Sequence, residues 1–362
     1  MELAVIGGGH GCYAAAANLA DEGHEVRMWR RDAAAFAPVL ETREIILKDH
    51  RGVRRAGLAH ASTDIAAVLD GVDLIVAPLP GTAQEGLART IAPHLRDGQV
   101  VFIPPGSFGS ILFMRALREA GNDADVAFVE SGTLPWLARK HGPASVAITT
   151  RTTDLPSGVL PARLDAYAMS VVREAFPEVQ PVTDALDAAL LNGGPIIHPP
   201  LILMNAGPIE HFDRWDIHKE GTQPSVRAVH DALDAERVAV REALGYGERH
   251  WWLADHYGVG GKKSMYGNLA HEKLTDSGDW REKIDLRQHR YLREDVQLGL
   301  VLLASLGRWL GVPMPVADGL LALAGAVNRE NLSANGRTLE NLGLSGLSPA
   351  ELKAILREGL PA

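Results

Sequence analysis

The sequence predicts an α/β protein: an N-terminal doubly wound parallel sheet of Rossmann type, followed by an all-α C-terminal domain. Two observations carry that expectation. Short apolar runs alternate with helical patterns through the first half, the βαβα order that builds a parallel sheet covered by helices on both faces. From about Asp184 the alternation stops and 3.6-residue periodicity dominates, which divides the chain into residues 1–184 and 185–362.

Residues 3–6 form a short apolar run that ends in Gly7-Gly8-Gly9-His10-Gly11. Residues 12–21 follow as a helix whose small side chains suit tight packing on a sheet. Gly23 stops that helix, and residues 25–29 alternate as a second strand. The rhythm continues with strands at 73–77 and 99–103, helices at 83–95 and 110–120, and further strands at 126–129 and 145–149. In the second half helices are expected over 186–191, 223–244 and 295–310. Residues 245–288, rich in Gly, Trp, His and Lys and weakly periodic, read as an irregular active-site excursion. A last surface helix has Ser348 as its N-cap, Pro349 at its first position and Gly359 as its stop.

Composition excludes several classes. At 362 residues the chain suits about two domains, and 46% hydrophobic with 22% charged residues is an ordinary globular balance, neither disordered nor fibrous. A net charge of −9 with no dense basic run argues against a large nucleic-acid footprint. No apolar stretch approaches the ~18 residues of a membrane span, and the N-terminus reaches its apolar run without the basic region of a signal peptide. Cys12 is the one cysteine, so no internal disulfide forms and a reducing, cytoplasmic location is expected.

The glycine turn carries the first chemistry. Gly7-x-Gly9 between a strand and a helix bares the backbone, so that a pyrophosphate can approach the unpaired N–H groups of the helix N-terminus. The third position of this fingerprint is Cys12, where Gly or Ala is usual. Strand, turn, helix and second strand fall in order within about 30 residues, the context that separates a dinucleotide site from a structural glycine turn. Gly7, Gly9, His10 and Gly11 are therefore the expected cofactor residues. Trp29-Arg30-Arg31-Asp32 ends the second strand, and Arg30 and Arg31 can pair with a 2′-phosphate, which favours NADP(H). Asp32 keeps NAD(H) open, and two solvated arginines are the plain alternative. Pro78-Leu79-Pro80 and Pro104-Pro105-Gly106 follow the next two strands, at the carboxyl ends where a ligand of an open sheet lies, and Pro80 joins the cofactor set.

The catalytic candidates lie in the second half. Asn192-Gly193-Gly194-Pro195-Ile196-Ile197-His198-Pro199-Pro200 embeds an imidazole among apolar and conformationally restricted residues. Arg290-Tyr291-Leu292-Arg293-Glu294-Asp295 leads into a Leu-rich helix, where Asp295 near the N-terminus could orient a histidine, or Glu294 and Asp295 could be simple first-turn acids. The histidines at 211, 218, 230, 250, 256 and 271 show no metal-ligand spacing, so no metal is expected.

Together these segments resemble the opine dehydrogenases, a family that includes octopine and nopaline dehydrogenases. The motifs that carry the resemblance run in order over nearly the whole chain: Gly7-x-Gly9-x-Gly11, Thr133-Leu134-Pro135-Trp136-x-x-Arg139, Asn192 with His198-Pro199, Asn205-Ala206-Gly207, Asp234-x-Glu236-Arg237, and Arg290-Tyr291-Leu292-x-Glu294-Asp295. The resemblance implies a dinucleotide-binding domain, a helical domain, and an active site in the cleft between them. It implies reversible, NAD(P)H-dependent reductive condensation of an α-keto acid with an amino acid or amine. It carries His198 over as the acid/base residue and Asp295 as its partner. Asn192 is then a hydrogen-bonding partner for substrate or nicotinamide. Arg290 is a fork for a substrate carboxylate or, equally, part of a structural ion pair. Thr133 and Trp136 are substrate-side candidates, and Trp136, Trp215, Trp251, Trp252 and Tyr266 could wall a bulky substrate or simply pack. Glu130-Ser131-Gly132-Thr133 stands where relatives vary, so recognition of a basic amino acid is not inherited. A hydroxy-acid or alcohol dehydrogenase on the same scaffold, or a dinucleotide sensor without turnover, are the competing readings. The long helices of the second half could also supply a homodimer interface.

Overall fold

The apolar runs of the first half become strands because each is buried on both faces, as only the middle of a helix-covered parallel sheet allows. The computed structural model describes residues 1–257, 264–267 and 270–361. The chain divides into two compact units, one of residues 1–79, 83–189 and the segment from Ile355 onward, the other of residues 80–82 and 190–354.

The first unit opens with β1 (Glu2–Ile6), α1 (His10–Asp21), β2 (Glu25–Trp29), α2 (Ala33–Thr42), β3 (Glu44–Asp49), β4 (Gly52–Gly57) and β5 (His60–Ser62). It continues through α3 (Ile65–Leu69), β6 (Leu74–Val76), α4 (Gly81–Ile91), β7 (Val100–Ile103), α5 (Ser110–Glu119) and β8 (Ala127–Ser131). Then come β9 (Trp136–Gly142), β10 (Ser145–Arg151), β11 (Leu155–Leu160), α6 (Asp165–Ala175), β12 (Val179–Pro181) and α7 (Ala185–Leu190). Eight strands form one sheet in the order β12-β11-β8-β7-β6-β1-β2-β5. All its pairings are parallel except β11 against β8. The run β5-β2-β1-β6-β7-β8 is the Rossmann order, whose switch point lies between β1 and β6.

The strand expected at 145–149 forms, but in a different sheet. β10 joins β4-β3-β10-β9, a four-stranded sheet that sequence reading does not anticipate. β4 and β9 are polar and only partly buried, and β3 alternates buried with exposed positions, so these three lack the fully buried runs that mark the main sheet. What secures the β3–β4 hairpin is long-range charge: Arg54 bonds both Asp21 and Asp49 at 2.7 Å, and Arg151 reaches Asp49 at 2.6 Å. Those guanidinium groups, Arg54 foremost, hold the Asp49 carboxyl far below its ordinary range. Helix α1 packs against strands of both sheets, and every residue from Gly11 to Leu19 is buried. A helix enclosed on two sides accepts only small side chains along most of its length, which explains the run Ala14-Ala15-Ala16-Ala17.

The second unit is helical: α8 (Gly194–Met204), α9 (Ala206–His211), α10 (Pro224–Ala243), α11 (Leu253–Tyr257), α12 (Ala270–Asp276), a π-helix (Tyr291–Leu300), α13 (Val301–Leu310) and α14 (Pro315–Asn328). A two-stranded pairing of β13 (Trp215–Asp216) with β14 (Arg281–Glu282) interrupts it. Within the excursion expected at 245–288, residues 258–263 and 268–269 lie outside the described residues. The terminal helix α15 (Pro349–Glu358) starts on a reciprocal cap, in which Ser348 Oγ accepts from the Glu351 N–H and Glu351 Oε2 accepts from the Ser348 N–H.

The helix expected over 295–310 begins four residues earlier: Asp295 is the fifth residue of the π-helix, which starts at Tyr291 and runs on into α13. The extra residue per turn in i→i+5 bonding cannot be read from hydrophobic spacing, and such turns cluster at functional sites. No helix among the described residues is long and apolar enough to cross a membrane.

Candidate functional site

In the first unit the glycine turn is shaped to receive a phosphate. Gly7 takes φ +118°, a conformation closed to most side chains, and its N–H donates to Trp29 O at 2.9 Å, tying the turn to β2. Gly9 caps α1 with no side-chain cap, and no acidic residue stands in the first turn, so no carboxylate competes for the helix N-terminus. A Cβ on Gly9 would meet nothing within 4 Å, so the space above the turn is open. The open Gly7–Gly9 turn and the uncapped N-terminus of α1 therefore fit a dinucleotide pyrophosphate.

Cys12 has a packing reason to stand in the fingerprint. Its thiol lies beneath Gly7 and donates to Ile6 O at 3.5 Å and Pro78 O at 3.6 Å, joining the ends of β1 and β6. Burial pushes its pKa up to about 11, so it remains a protonated donor.

At the end of β2, Arg30 donates through Nη1 to Ala35 O at 2.9 Å and to Tyr13 Oη at 3.3 Å. Arg31 is exposed, and Asp32 Oδ1 accepts from the Ala35 N–H as the cap of α2. Pro80 is exposed, in the short segment counted with the second unit. Glu130, fully buried, accepts from the Phe108 and Ser110 N–H groups at 2.7 Å each, so it organises the loop after β7. Thr133 is half-buried, and its carbonyl accepts from Ser131 Oγ.

Trp136 is a correction. Its side chain is 2% exposed in the core of the first unit and packs on Phe176 with ring centroids 5.7 Å apart. A ring with no free face offers nothing to a substrate. The other aromatic candidates lie in the second unit, where Trp215 stacks on Phe212, Trp251 lies under the Arg249 guanidinium, and Trp252 is exposed.

The second unit brings His198 and Asp295 together, 97 residues apart in sequence. His198 Nδ1 lies 2.7 Å from Asp295 Oδ2, with the two side chains 14% and 6% exposed. Helix α8 presents the imidazole and the π-helix presents the carboxylate. A Cβ on Gly194 would overlap Asp295 Oδ1, so glycine at that position is what admits the carboxylate. Asn192 Oδ1 accepts from the Gly194 N–H at 3.0 Å and fixes the start of α8. Tyr291 stacks flat on His198, with centroids 3.7 Å apart and planes 13° from parallel, and its hydroxyl is 3.0 Å from His218 Nε2. His230 Nε2 donates to Ile197 O at 2.9 Å, bracing the backbone beside His198.

Electrostatics set the protonation states. Burial raises the Asp295 carboxyl to about 7, against the pull of Arg290 and His289. Burial also lowers the His198 imidazole well below its usual value, assisted by the Arg290 charge. Among the described residues His198 Nε2 has no hydrogen-bond partner, so one ring nitrogen is held by a carboxylate and the other can exchange a proton with a ligand. Glu294, raised to about 7 by burial and by the Asp295 charge, accepts from the Gly81 N–H at 2.8 Å. The Arg290 side chain is 47% exposed, 3.9 Å from Glu294 Oε2.

Other motif residues are structural. Asp234 receives Arg237 Nε and the Leu253 N–H, and Glu236 receives the Val316 and Ala317 N–H groups at the start of α14. Sequence reasoning assigned nothing to His218, His230 or Lys140, and quoted Tyr291 without a role. Only its place four residues before Asp295 could have pointed to the tyrosine. Among the described residues no group of three His, Cys, Asp or Glu side chains could hold a metal ion.

Family models match stretches in both halves of the chain. Residues 181–328 match the family described as NAD/NADP octopine/nopaline dehydrogenase, alpha-helical domain, and residues 2–107 match NAD-dependent glycerol-3-phosphate dehydrogenase N-terminus. An opine dehydrogenase of Arthrobacter sp. (strain 1C) is 31% identical over 97% of this chain and 97% of its own length. Among solved structures, octopine dehydrogenase in complex with NADH and agmatine superposes with a TM-score of 0.74 at 17% identity, covering 99% of this chain and 98% of that one. Yersinopine dehydrogenase with NADP+ bound gives 0.66 at 15%, with 99% and 98% covered.

Proposed function

This chain belongs to the opine dehydrogenase family, and on that premise we propose that it joins an α-keto acid to an amino acid or amine with His198 as the acid/base and Asp295 as its counter-charge. It is an NAD(P)-dependent oxidoreductase acting on CH–NH. The observation that carries the proposal is the buried 2.7 Å pair of His198 and Asp295, with Nε2 left for a ligand.

The amine attacks the keto carbon, water leaves to give an imine, and reduction of that C=N gives a secondary amine. When bound, the nicotinamide supplies the hydride. His198 Nε2 delivers a proton to the carbonyl oxygen as water departs, and Asp295 holds the imidazolium that supplies it. Tyr291 keeps the imidazole plane fixed. Arg290, half exposed, takes a substrate carboxylate through its guanidinium fork. Asn192 acts at the entry to α8, where it sets the start of the helix that carries His198. In the first unit Gly7, Gly9, His10 and Gly11 receive the dinucleotide, and Arg30 with Arg31 favours NADP(H) over NAD(H).

The test is amine dependence. Oxidation of the reduced dinucleotide in the presence of a keto acid is expected to rise and saturate as an amino acid is added, and to stay near background without one. An equal rate with no amine would make the chain a carbonyl reductase and remove the proposal.

A further inference from the structure

Two cations in the first unit converge on the glycine turn. Arg30 comes from the end of β2, and a Cβ on Gly8 would lie 2.5 Å from its Nε. Lys140 comes from β9 of the second sheet, with its Nζ 3.4 Å from Gly8 O and 3.5 Å above the centroid of the Tyr13 ring. Tyr13 is a shared support, since its hydroxyl also accepts from Arg30 Nη1. The Lys140 N–H donates to His10 Nδ1 at 2.8 Å, which pins β9 to the first residue of α1.

Among the described residues neither Arg30 nor Lys140 forms an ion pair with a carboxylate. Elsewhere in this unit the arginines of the β3–β4 hairpin, at 51, 54 and 55, are all paired. Burial and the neighbouring Arg30 charge both lower the Lys140 pKa. Two like charges held at one turn without a counter-ion are unfavourable until an anion joins them.

We propose that Lys140 and Arg30 together clamp the 2′-phosphate of NADP(H), so that a residue of the second sheet sets cofactor choice along with the β2 turn. The inference rests on the NADP(H) reading above. The pyrophosphate goes to the α1 N-terminus beyond Gly9, whereas Arg30 occupies the end of β2, the position that meets the ribose 2′ substituent. Lys140 reaches the same residue, Gly8, and the same ring. A phosphate dianion there would neutralise both cations and accept charge-assisted hydrogen bonds from each.

The test is equilibrium binding of 2′,5′-ADP, 5′-ADP, NADPH and NADH to the wild type and to Lys140→Met, which keeps an unbranched chain over Tyr13. Loss of one charged hydrogen bond should weaken 2′,5′-ADP and NADPH about 10–100-fold, with 5′-ADP and NADH within about 2-fold of wild type by the same reasoning. Lys140→Arg should restore most of the loss. If all four ligands weaken together, Lys140 serves the pyrophosphate or the fold and the proposal fails. If none changes, the ammonium only packs on Tyr13 and the proposal also fails. A wild type that binds 2′,5′-ADP no tighter than 5′-ADP overturns the NADP(H) reading itself, an outcome the variants do not mimic.

Discussion

Replacing His198 by Gln is expected to lower the rate of reductive condensation by about 10²–10⁴-fold, the usual contribution of a positioned acid/base, while dinucleotide affinity stays unchanged. Gln suits the test because Tyr291 covers the imidazole face at 3.7 Å, and a smaller residue would open a cavity against that ring. The amide can hydrogen-bond Asp295 but cannot carry a proton in the neutral range. Steady-state kinetics with a saturating amine, set beside a fluorescence titration of the reduced dinucleotide, separates the two effects. Retained turnover would remove His198 from the chemistry. Loss of dinucleotide binding would show that the substitution had spread beyond the site.

Asp295→Asn should be nearly as damaging and should also move the pH dependence. In the wild type the pair gains one proton as pH falls through about 7, the value to which burial raises the carboxyl. The protonated pair can donate from Nε2, so condensation is favoured below that value and declines as pH rises through it. The deprotonated pair leaves a neutral imidazole whose Nδ1–H faces a carboxylate, so oxidation of the opine product should rise over the same interval. Asn removes the counter-charge, and the imidazolium then forms only at lower pH because burial already disfavours it. The expected result is a loss on the order of 10²–10⁴-fold with the inflection displaced downward. A slower enzyme with an unmoved profile would reduce Asp295 to a packing role.

What could be read from the chain followed the range of the interactions. The β1–turn–α1–β2 unit was legible because strand, glycine turn, helix and second strand follow one another within about 30 residues, and Gly7 and Gly9 mark the turn directly. The four-stranded sheet was not, because the side chains that tie it together, Arg54 with Asp21 and Arg151 with Asp49 and Asn18, lie up to 133 residues apart in sequence. His198 and Asp295 were each weak signals alone, and only their order within a family pattern joined them. Their geometry depends on a π-helix that periodicity does not announce. Trp136 looked available because an aromatic beside a Thr-Leu-Pro turn carries no mark of its burial. Lys140 and His218 carried no local signal, since their neighbours are supplied by other strands and helices.

The central claim is that a C=N bond, and not a C=O bond, is what this protein reduces. It is tested most directly by mass analysis of the product formed from a keto acid, an amino acid and a reduced dinucleotide carrying deuterium at its transferable position. The expected product is a secondary amine whose mass is that of keto acid plus amino acid less one water plus one hydrogen and one deuterium, with the deuterium on the former keto carbon. A deuterated 2-hydroxy acid that contains no amine nitrogen, formed whether or not the amino acid is present, would contradict it.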